Sequence, residues 1–283
     1  MTVLTLPAPA KLNRMLHITG RRGDGYHELQ TLFQFLDHGD TLTFQLRPDS
    51  EVTLFPSLAG VADEDNLIVR AARLLQHHSQ RPVGADIQLR KQLPMGGGLG
   101  GGSSDAATAL LALDRLWELD LGLDRLAELG LQLGADVPVF VRGHAAWAEG
   151  IGERLVPVDL DTPWFVVVHP GIEVSTPRVF NAPQLTRDTP PISMARALQE
   201  GPEAWRNDCQ SAVRELYPEV DDALNWLSGV APTLLTGTGA CVFCRLTNAD
   251  EASSILSRVR SGWTAFMARG CNTSPLHQAL GLF

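Results

Sequence analysis

The chain has 283 residues, 44% of them hydrophobic and 19% charged, and a formal net charge of −9 at pH 7. That length buries a substantial core in one large domain or two medium ones, and the acidic balance argues against a nucleic-acid protein, which usually carries a basic face. No stretch approaches the ~20 apolar residues of a membrane span, and the opening MTVLTLPAPAKLN has no basic start and is broken by Pro7 and Pro9, which argues against a secretory leader.

In chain order, Ala8–Asn13 comes first. Two prolines stiffen the approach to Lys11, with the amide of Asn13 two residues on. Of 23 lysines and arginines only Lys11 and Lys91 are lysine. Most lysines are surface residues, so Lys11 at a strand start has an ordinary reading as well as a chemical one. The segment Gly20–Glu28 reads as a loop by its glycines. It sets Tyr26 beside His27, an aromatic ring and an imidazole that together can stack on and hydrogen-bond a heterocycle. From Leu32 to Leu54 the pattern is β-rich: Leu42, Phe44 and Leu46 alternate with polar neighbours, and Val52 and Leu54 follow a turn at Pro48-Asp49. Asp63–Asn66 then caps a helix whose buried stripe is Leu67, Ala71, Leu74 and Leu75. A linker over 77–84 leads to a strand in which Ile87 and Leu89 alternate with Asp86, Gln88 and Arg90.

The stretch Leu93–Leu113, LPMGGGLGGGSSDAATALLAL, organises the chain. Residues 96–102 are glycine except for Leu99, and Ser103, Ser104 and Asp105 follow as helix starters. Ala106, Leu110, Leu113 and Trp117 fall on one helical face. A strand, a glycine loop and a helix N-terminus in that order suit an anion, and phosphate is the obvious guest. GxxxxGK[ST] is absent. GxGxxG is formally present as Gly96, Gly98 and Gly101, but the helix that follows leads into another helix, with Leu123, Leu126, Leu129 and Leu133 on its face. The dinucleotide βαβ unit therefore fails, and a nicotinamide oxidoreductase is a minor alternative.

Gly134 then reads as a helix C-cap, with Asp136 just beyond it before Pro138 and an apolar run. Asp136 is a turn aspartate in the ordinary reading and a catalytic carboxylate in the sharper one. A strand-like Ala145–Ala148 follows. The change of style at Pro157–Pro163 marks a domain boundary, giving units 1–157 and 158–283. Beyond it lie the strand Trp164–Val168, a proline-rich loop over 176–191 that carries Phe180, and helical patterns at 203–216, 220–227 and 250–259. A second glycine cluster, Thr236–Ala240, precedes a strand and is open to two readings, a tight turn or a second set of anion-facing amides. Of the four cysteines, Cys241 and Cys244 form a CxxC inside an apolar run. A strand points them to opposite faces and no second close pair completes a zinc site, so buried free thiols in a reducing cytosol are expected.

Three elements stand in order: Pro9–Asn13 (PAKLN), Pro94–Ser104 (PMGGGLGGGSS) and Thr236–Ala240 (TGTGA). This layout resembles the GHMP kinases, named for galactose, homoserine, mevalonate and phosphomevalonate. GDGYHEL at 23–29, DNLIVRAA at 65–72, LGADVPVF at 133–140 and HPG at 169–171 narrow the likeness to the family of kinases that act on diphosphocytidyl-methylerythritol. The resemblance covers essentially the whole chain, with 181–205 matching nothing.

The resemblance implies an α/β (α+β) fold of two lobes with the active site in the cleft between them, an N-terminal ATP-binding domain and a C-terminal GHMP domain. It implies ATP with Mg2+ as cofactors and phosphorylation of the 2-hydroxyl of diphosphocytidyl-methylerythritol in the non-mevalonate route. By position it makes Asp136 and Lys11 catalytic. The ATP loop is Pro94, Met95, Gly96, Gly97, Gly98, Leu99, Gly100, Gly101, Gly102, Ser103 and Ser104, with Asn66 near the adenine. Asn13, Tyr26, His27, Thr176 and Phe180 face the substrate, the aromatics around cytosine. The magnesium ligands stay open, with Ser103 or Ser104 offering a hydroxyl. The expected setting is cytoplasmic, with a small-molecule substrate, no nucleic acid and no membrane, as a monomer or homodimer. A homoserine- or mevalonate-type kinase is the nearest rival, and a non-catalytic nucleotide-binding protein on the same fold is the alternative from another class.

Overall fold

Residues 3–47 form one long antiparallel hairpin, β1 (Val3–Arg21) and β2 (His27–Arg47), in the computed structural model, which describes residues 3–58 and 60–282. The register runs from Val3 opposite Gln45 to Arg21 opposite His27, and it slips between Pro9 and Lys11, Asn13 and Met15, and Ile18 and Gly20. Such bulges bend a strand and re-aim its side chains. The first two lie on either side of Lys11 and Asn13, which share one face of the strand. Gly39 allows the tight crossing at the first bulge, because a Cβ there would lie 2.2 Å from the Ala8 carbonyl oxygen.

The chain continues through β3 (Val52–Phe55), α1 (Leu67–Gln76), β4 (Gly84–Arg90), α2 (Gly101–Leu116), α3 (Gly122–Leu131), α4 (Val137–Arg142), β5 (Ala146–Gly150) and β6 (Arg154–Pro157). Its second half holds β7 (Trp164–His169), α5 (Thr176–Phe180), α6 (Met194–Glu200), α7 (Gln210–Leu216), α8 (Pro218–Ser228), β8 (Thr233–Leu235), β9 (Val242–Leu246), α9 (Ala249–Leu256), β10 (Thr264–Cys271) and α10 (Pro275–Leu280). The main sheet path is β3-β4-β2-β10-β7-β9-β8, with β1 on β2 and β5 between β2 and β6. Among the described strand pairs β3–β4 alone is parallel, and an isolated parallel bridge joins Leu16 to Asn207. β2 is the spine: its end pairs β4, its start pairs β5, and Phe35 and Leu36 pair β10.

In α1 the buried face is Ile68, Val69, Ala71, Ala72 and Leu75, so of the expected stripe Leu67 and Leu74 are only partly buried. α1 to α4 cover one core with Phe44, Ile87, Leu110 and Phe140 at its centre. In α2 every residue from Ser104 to Leu113 is buried, so this helix is central rather than amphipathic. A second core lies under α7, α8 and α9 and takes in Val166, Val168 and Cys244, together with Leu16 and Ile18 from the hairpin. The opposite face of the same strands packs Phe165, Val167, Cys241 and Phe243 against Leu12 and Leu36. Cys241 and Cys244 therefore do face opposite sides. Both are buried free thiols, as is Cys209, whereas Cys271 is only half-buried. A further cluster joins Met15, Trp147 and Trp205. Beside it Arg14 is 2% exposed, with its guanidinium 5.1 Å from the Phe165 ring and 4.9 Å from the Trp205 ring. Burial, opposed by the Asp161 carboxylate, lowers its pKa to about 10.

The structure departs from the sequence pattern at helix starts. α2 begins at Gly101, not at Ser103–Asp105, because Gly100 takes a left-handed φ of 72° and caps the helix by backbone alone. The serines sit in the first turn instead. The pattern at 203–216 yields a helix only from Gln210, after Asn207 Oδ1 accepts the Cys209 amide at 2.9 Å. The stretch 176–191, expected to be all loop, opens with the short α5, capped by Ser175 and started by Pro177. One turn is too short to show a periodicity.

α10 returns from the second half to the first. Leu276 and Leu280 enter the first core, the Ser274 amide donates to Gly143 O at 2.9 Å, and His277 Nε2 bonds Val141 O at 2.8 Å. Gly143 ends α4 at φ 70°, where a Cβ would lie 2.1 Å from the His277 ring. Gly143→Ala therefore combines a left-handed alanine with overpacking and lowers the unfolding free energy by about 2–4 kcal/mol. The readout is a lower urea midpoint at unchanged slope.

Candidate active site

The glycine loop is held from behind. Ala240 N donates to Gly96 O and Cys241 N to Gly97 O, each at 3.0 Å, and Thr236 Oγ1 donates to Gly98 O at 3.1 Å. The second glycine cluster thus acts as a brace for the first, which the sequence left open. Gly98, at φ 73°, lies so close to it that a Cβ would sit 2.2 Å from Thr236 O. Gly100 packs against the Phe140 ring and the Lys11 stem. In front of the loop α2 starts, and the amides of its first turn have no intrahelical acceptor. They border a cavity of about 340 Å3 lined by residues 94–103, with Asn66, Lys91 and Asp105. Ser103 lies on that wall and Ser104 does not, being fully buried. Asn66 spends its Oδ1 on capping α1, accepting Ile68 N at 2.9 Å, which leaves its amide NH2 for the cavity.

A second cavity, of about 590 Å3, adjoins the first, and Gly98 and Gly100 line both. Lys11 stands at this junction, 2% exposed. Its Nζ donates to Asn13 Oδ1 at 2.6 Å and Gly98 O at 3.2 Å, and lies 3.2 Å from Asp136 Oδ2. Asp136 occupies the N-cap position of α4 with no capping bond, so its carboxylate is not spent on the helix. Asn13 Nδ2 donates to Thr31 Oγ1 at 2.9 Å, and Thr31 in turn donates to Met15 O, which fixes the amide's orientation.

The far end of the second cavity is lined by Tyr26, His27, Thr176 and Phe180. Tyr26 sits at the tip of the hairpin and is 59% exposed. His27 is buried and stacks on Phe180, with ring centroids 4.8 Å apart and an interplanar angle of 19°. Burial first, then the charges of Arg187 and Arg21, lower its pKa. Thr176 Oγ1 lies 2.8 Å from Thr238 Oγ1, which ties α5 to the brace behind the glycine loop. All the residues singled out from the sequence thus fall on these two cavities, except Ser104.

Sequence reasoning missed Lys91, Asp40 and Asp105. Lys91 Nζ reaches under the first cavity and donates to Asp40 Oδ2 at 2.6 Å and Asp105 Oδ2 at 2.8 Å. Asp40 also accepts the backbone amides of Gln92 and Leu93, so it anchors the chain entering the glycine loop. Burial of Asp105 and its proximity to Asp40, opposed by Lys91, push its pKa up to about 7. Its Oδ1 is buried without a hydrogen-bond partner. The scarcity of lysine was the available signal, but nothing local to Lys91 pointed to Asp40, 51 residues away.

Comparison with known proteins matches residues 66–144 to the family model described as GHMP kinases N terminal domain, and 193–265 to GHMP kinases C terminal. The chain is 71% identical to a protein of Chromohalobacter salexigens named 4-diphosphocytidyl-2-C-methyl-D-erythritol kinase, over 100% of this chain and 96% of that one. It is 58% identical to a protein of the same name from Ectopseudomonas mendocina, over 98% and 94%. It is similar to a crystal structure of 4-(cytidine 5'-diphospho)-2C-methyl-D-erythritol kinase at TM-score 0.83 and 34% identity, covering 94% of this chain and 99% of that one.

The Asp105 arrangement gives a pH-dependent test. Its folded pKa lies above the unfolded value near 3.9, so the protonated form is favoured on folding. The stability this confers is full below about pH 4 and is lost as pH rises through about 7. Asp105→Asn keeps an acceptor for Lys91 and removes the titration. Between pH 5 and pH 8 the wild type therefore loses stability relative to this variant by the order of 1 kcal/mol or more, read from urea midpoints at the two pH values.

Proposed function

We propose a reaction for this chain from its family: it belongs to the GHMP kinases and, within them, to the 4-diphosphocytidyl-2-C-methyl-D-erythritol kinases. The chain transfers the γ-phosphoryl group of ATP to the 2-hydroxyl of 4-diphosphocytidyl-2-C-methyl-D-erythritol, in the non-mevalonate route to isoprenoid precursors. The observation that carries the site assignment is the Lys11–Asp136 pair at the junction of two cavities that share Gly98 and Gly100.

The first cavity takes the ATP, its phosphates on the loop amides and the N-terminus of α2. Pro94 and Met95 flank the nucleotide, and the Asn66 NH2 lies toward its base. The second cavity takes the other substrate, with the cytosine end toward Tyr26, His27 and Phe180 and the tertiary alcohol toward Asp136. Asn13 and Thr176 hold the substrate between these ends. A tertiary alcohol is a poor nucleophile until its proton leaves. The Asp136 carboxylate accepts that proton, and the Lys11 ammonium stabilises the negative charge that develops on the oxygen. Lys11 is already aimed by Asn13 and Gly98, so little reorganisation is needed at the moment of transfer.

Magnesium fits this donor set as an ion held mainly by phosphate oxygens and water. Ser103, on the cavity wall, would offer it a hydroxyl. Ser104, fully buried, is not placed to do so. The ion would neutralise phosphate charge. We read the chain as an ATP-binding unit, 1–157, and a second unit, 158–283, acting in the cytoplasm on small molecules without nucleic acid, as a monomer or homodimer.

The test is ADP release from ATP and magnesium with the cytidyl substrate, with homoserine and mevalonate run beside it. Turnover is expected with the cytidyl substrate alone. Asp136→Asn keeps the shape and removes the base, so kcat falls about 10^2- to 10^4-fold while ATP binding by calorimetry is retained. Near-wild-type turnover in that variant would overturn the assignment of Asp136. Activity on another alcohol in place of the cytidyl substrate would overturn the pyrimidine end.

A further inference from the structure

Arg187 lies in 181–205, the stretch in which no motif was recognised, yet its guanidinium meets His27, which lines the second cavity. Its Nε donates to His27 Nε2 at 3.3 Å. Three further donors of the fork go to backbone carbonyls: Nη1 donates to Leu185 O at 3.1 Å, and Nη2 donates to Phe180 O at 2.8 Å and Ala182 O at 2.7 Å. One side chain therefore holds both members of the His27–Phe180 stack.

This contact dictates a protonation state. A guanidinium donates and never accepts, so the nitrogen it meets must carry a lone pair. His27 is then neutral, with its proton on Nδ1. Nδ1 makes no hydrogen bond to any described residue. The charged groups acting on the ring are Arg187 and Arg21, both cations that resist its protonation.

We propose that Arg187 is a positioning residue that makes the pyrimidine end selective for cytosine over uracil, by holding His27 as the Nδ1–H tautomer so that a hydrogen-bond donor faces the base. Cytosine presents an acceptor at N3, where uracil presents N–H. A donor pairs with the first and opposes the second, and an unpaired donor in a closed site discriminates roughly 10- to 100-fold. The inference rests on the proposed reaction, but its spectroscopic part does not.

The experiment has two readouts on the wild type, Arg187→Met and Arg187→Lys. Long-range 1H–15N correlation of the histidine rings, without ligand, reports the His27 tautomer; the expected result is Nδ1–H in the wild type and a mixture with Nε2–H in Arg187→Met. The second readout is kcat/KM for the cytidyl substrate against its uridyl analogue. The ratio is expected to fall at least about 10-fold in Arg187→Met and to recover in part in Arg187→Lys, which restores a donor. An Nε2–H ring in the wild type overturns the inference, as does an equal loss on both substrates. If Arg187→Met does not fold, the wild-type tautomer and the Arg187→Lys ratio decide in the same way. A wild type inactive on the cytidyl substrate overturns the proposed reaction instead, and the tautomer spectrum still judges the role of Arg187.

Discussion

A buried ammonium with three oxygen partners is the constraint on which the site depends. Lys11 is almost wholly removed from water, which is tolerable only if its charge and its three hydrogens are met. Asn13 Oδ1 from the same strand and Gly98 O from the glycine loop accept two of them, and Asp136 Oδ2 from the turn before α4, 3.2 Å away, answers the charge. The face of the Phe33 ring, 5.3 Å away, closes the shell. Each partner belongs to a different element, so satisfying one side chain brings the hairpin, the glycine loop and the Asp136 carboxylate to one point.

The scaffold around that point is built so that it cannot drift. β1 and β2 run unusually long, and their bulges set Lys11 and Asn13 toward the loop while Leu16 and Ile18 enter the second core. The glycine loop carries no side chains to anchor it except Leu99, which is buried in the layer between the sheet faces. Its position comes instead from backbone bonds to Thr236, Ala240 and Cys241, and from Asp40 and Lys91 beneath it. Glycine allows the close backbone approach that a phosphate needs, and the same closeness makes the loop dependent on its neighbours. Rigid support of this kind is what a reaction that rests mainly on positioning requires.

The second cavity shows the same logic at its far end. Phe180 and His27 are too few to hold a plane by themselves, so Arg187 clamps both through backbone carbonyls and the ring nitrogen. Arg14 plays a comparable structural part between the Phe165 and Trp205 rings, with Gln34 and Asp161 taking its hydrogens. Two of the arginines in an acidic chain are thus spent inside it rather than on a basic surface.

What the sequence by itself determined was local. The strand–glycine–helix order at 84–116 was legible because its signals are adjacent: alternation, then residues that free the backbone, then a helical run. The cap at Asn66 and the opposed faces of Cys241 and Cys244 follow from spacing alone. Asp136 stood out as a carboxylate between a helix stop and a proline, and the family resemblance implied Tyr26, His27 and Phe180 as one group. The tertiary structure decided everything that depends on a partner far along the chain: that Thr236–Ala240 braces the first glycine loop, that Ser104 is buried while Ser103 is not, that Lys91 is shared by Asp40 and Asp105, and that Arg187 reaches back 160 residues to His27. The physical reason is that hydrogen bonds and ion pairs act over about 3 Å in space and are blind to sequence separation. Periodicity and capping record which residues are neighbours along the chain, and only folding makes the others neighbours.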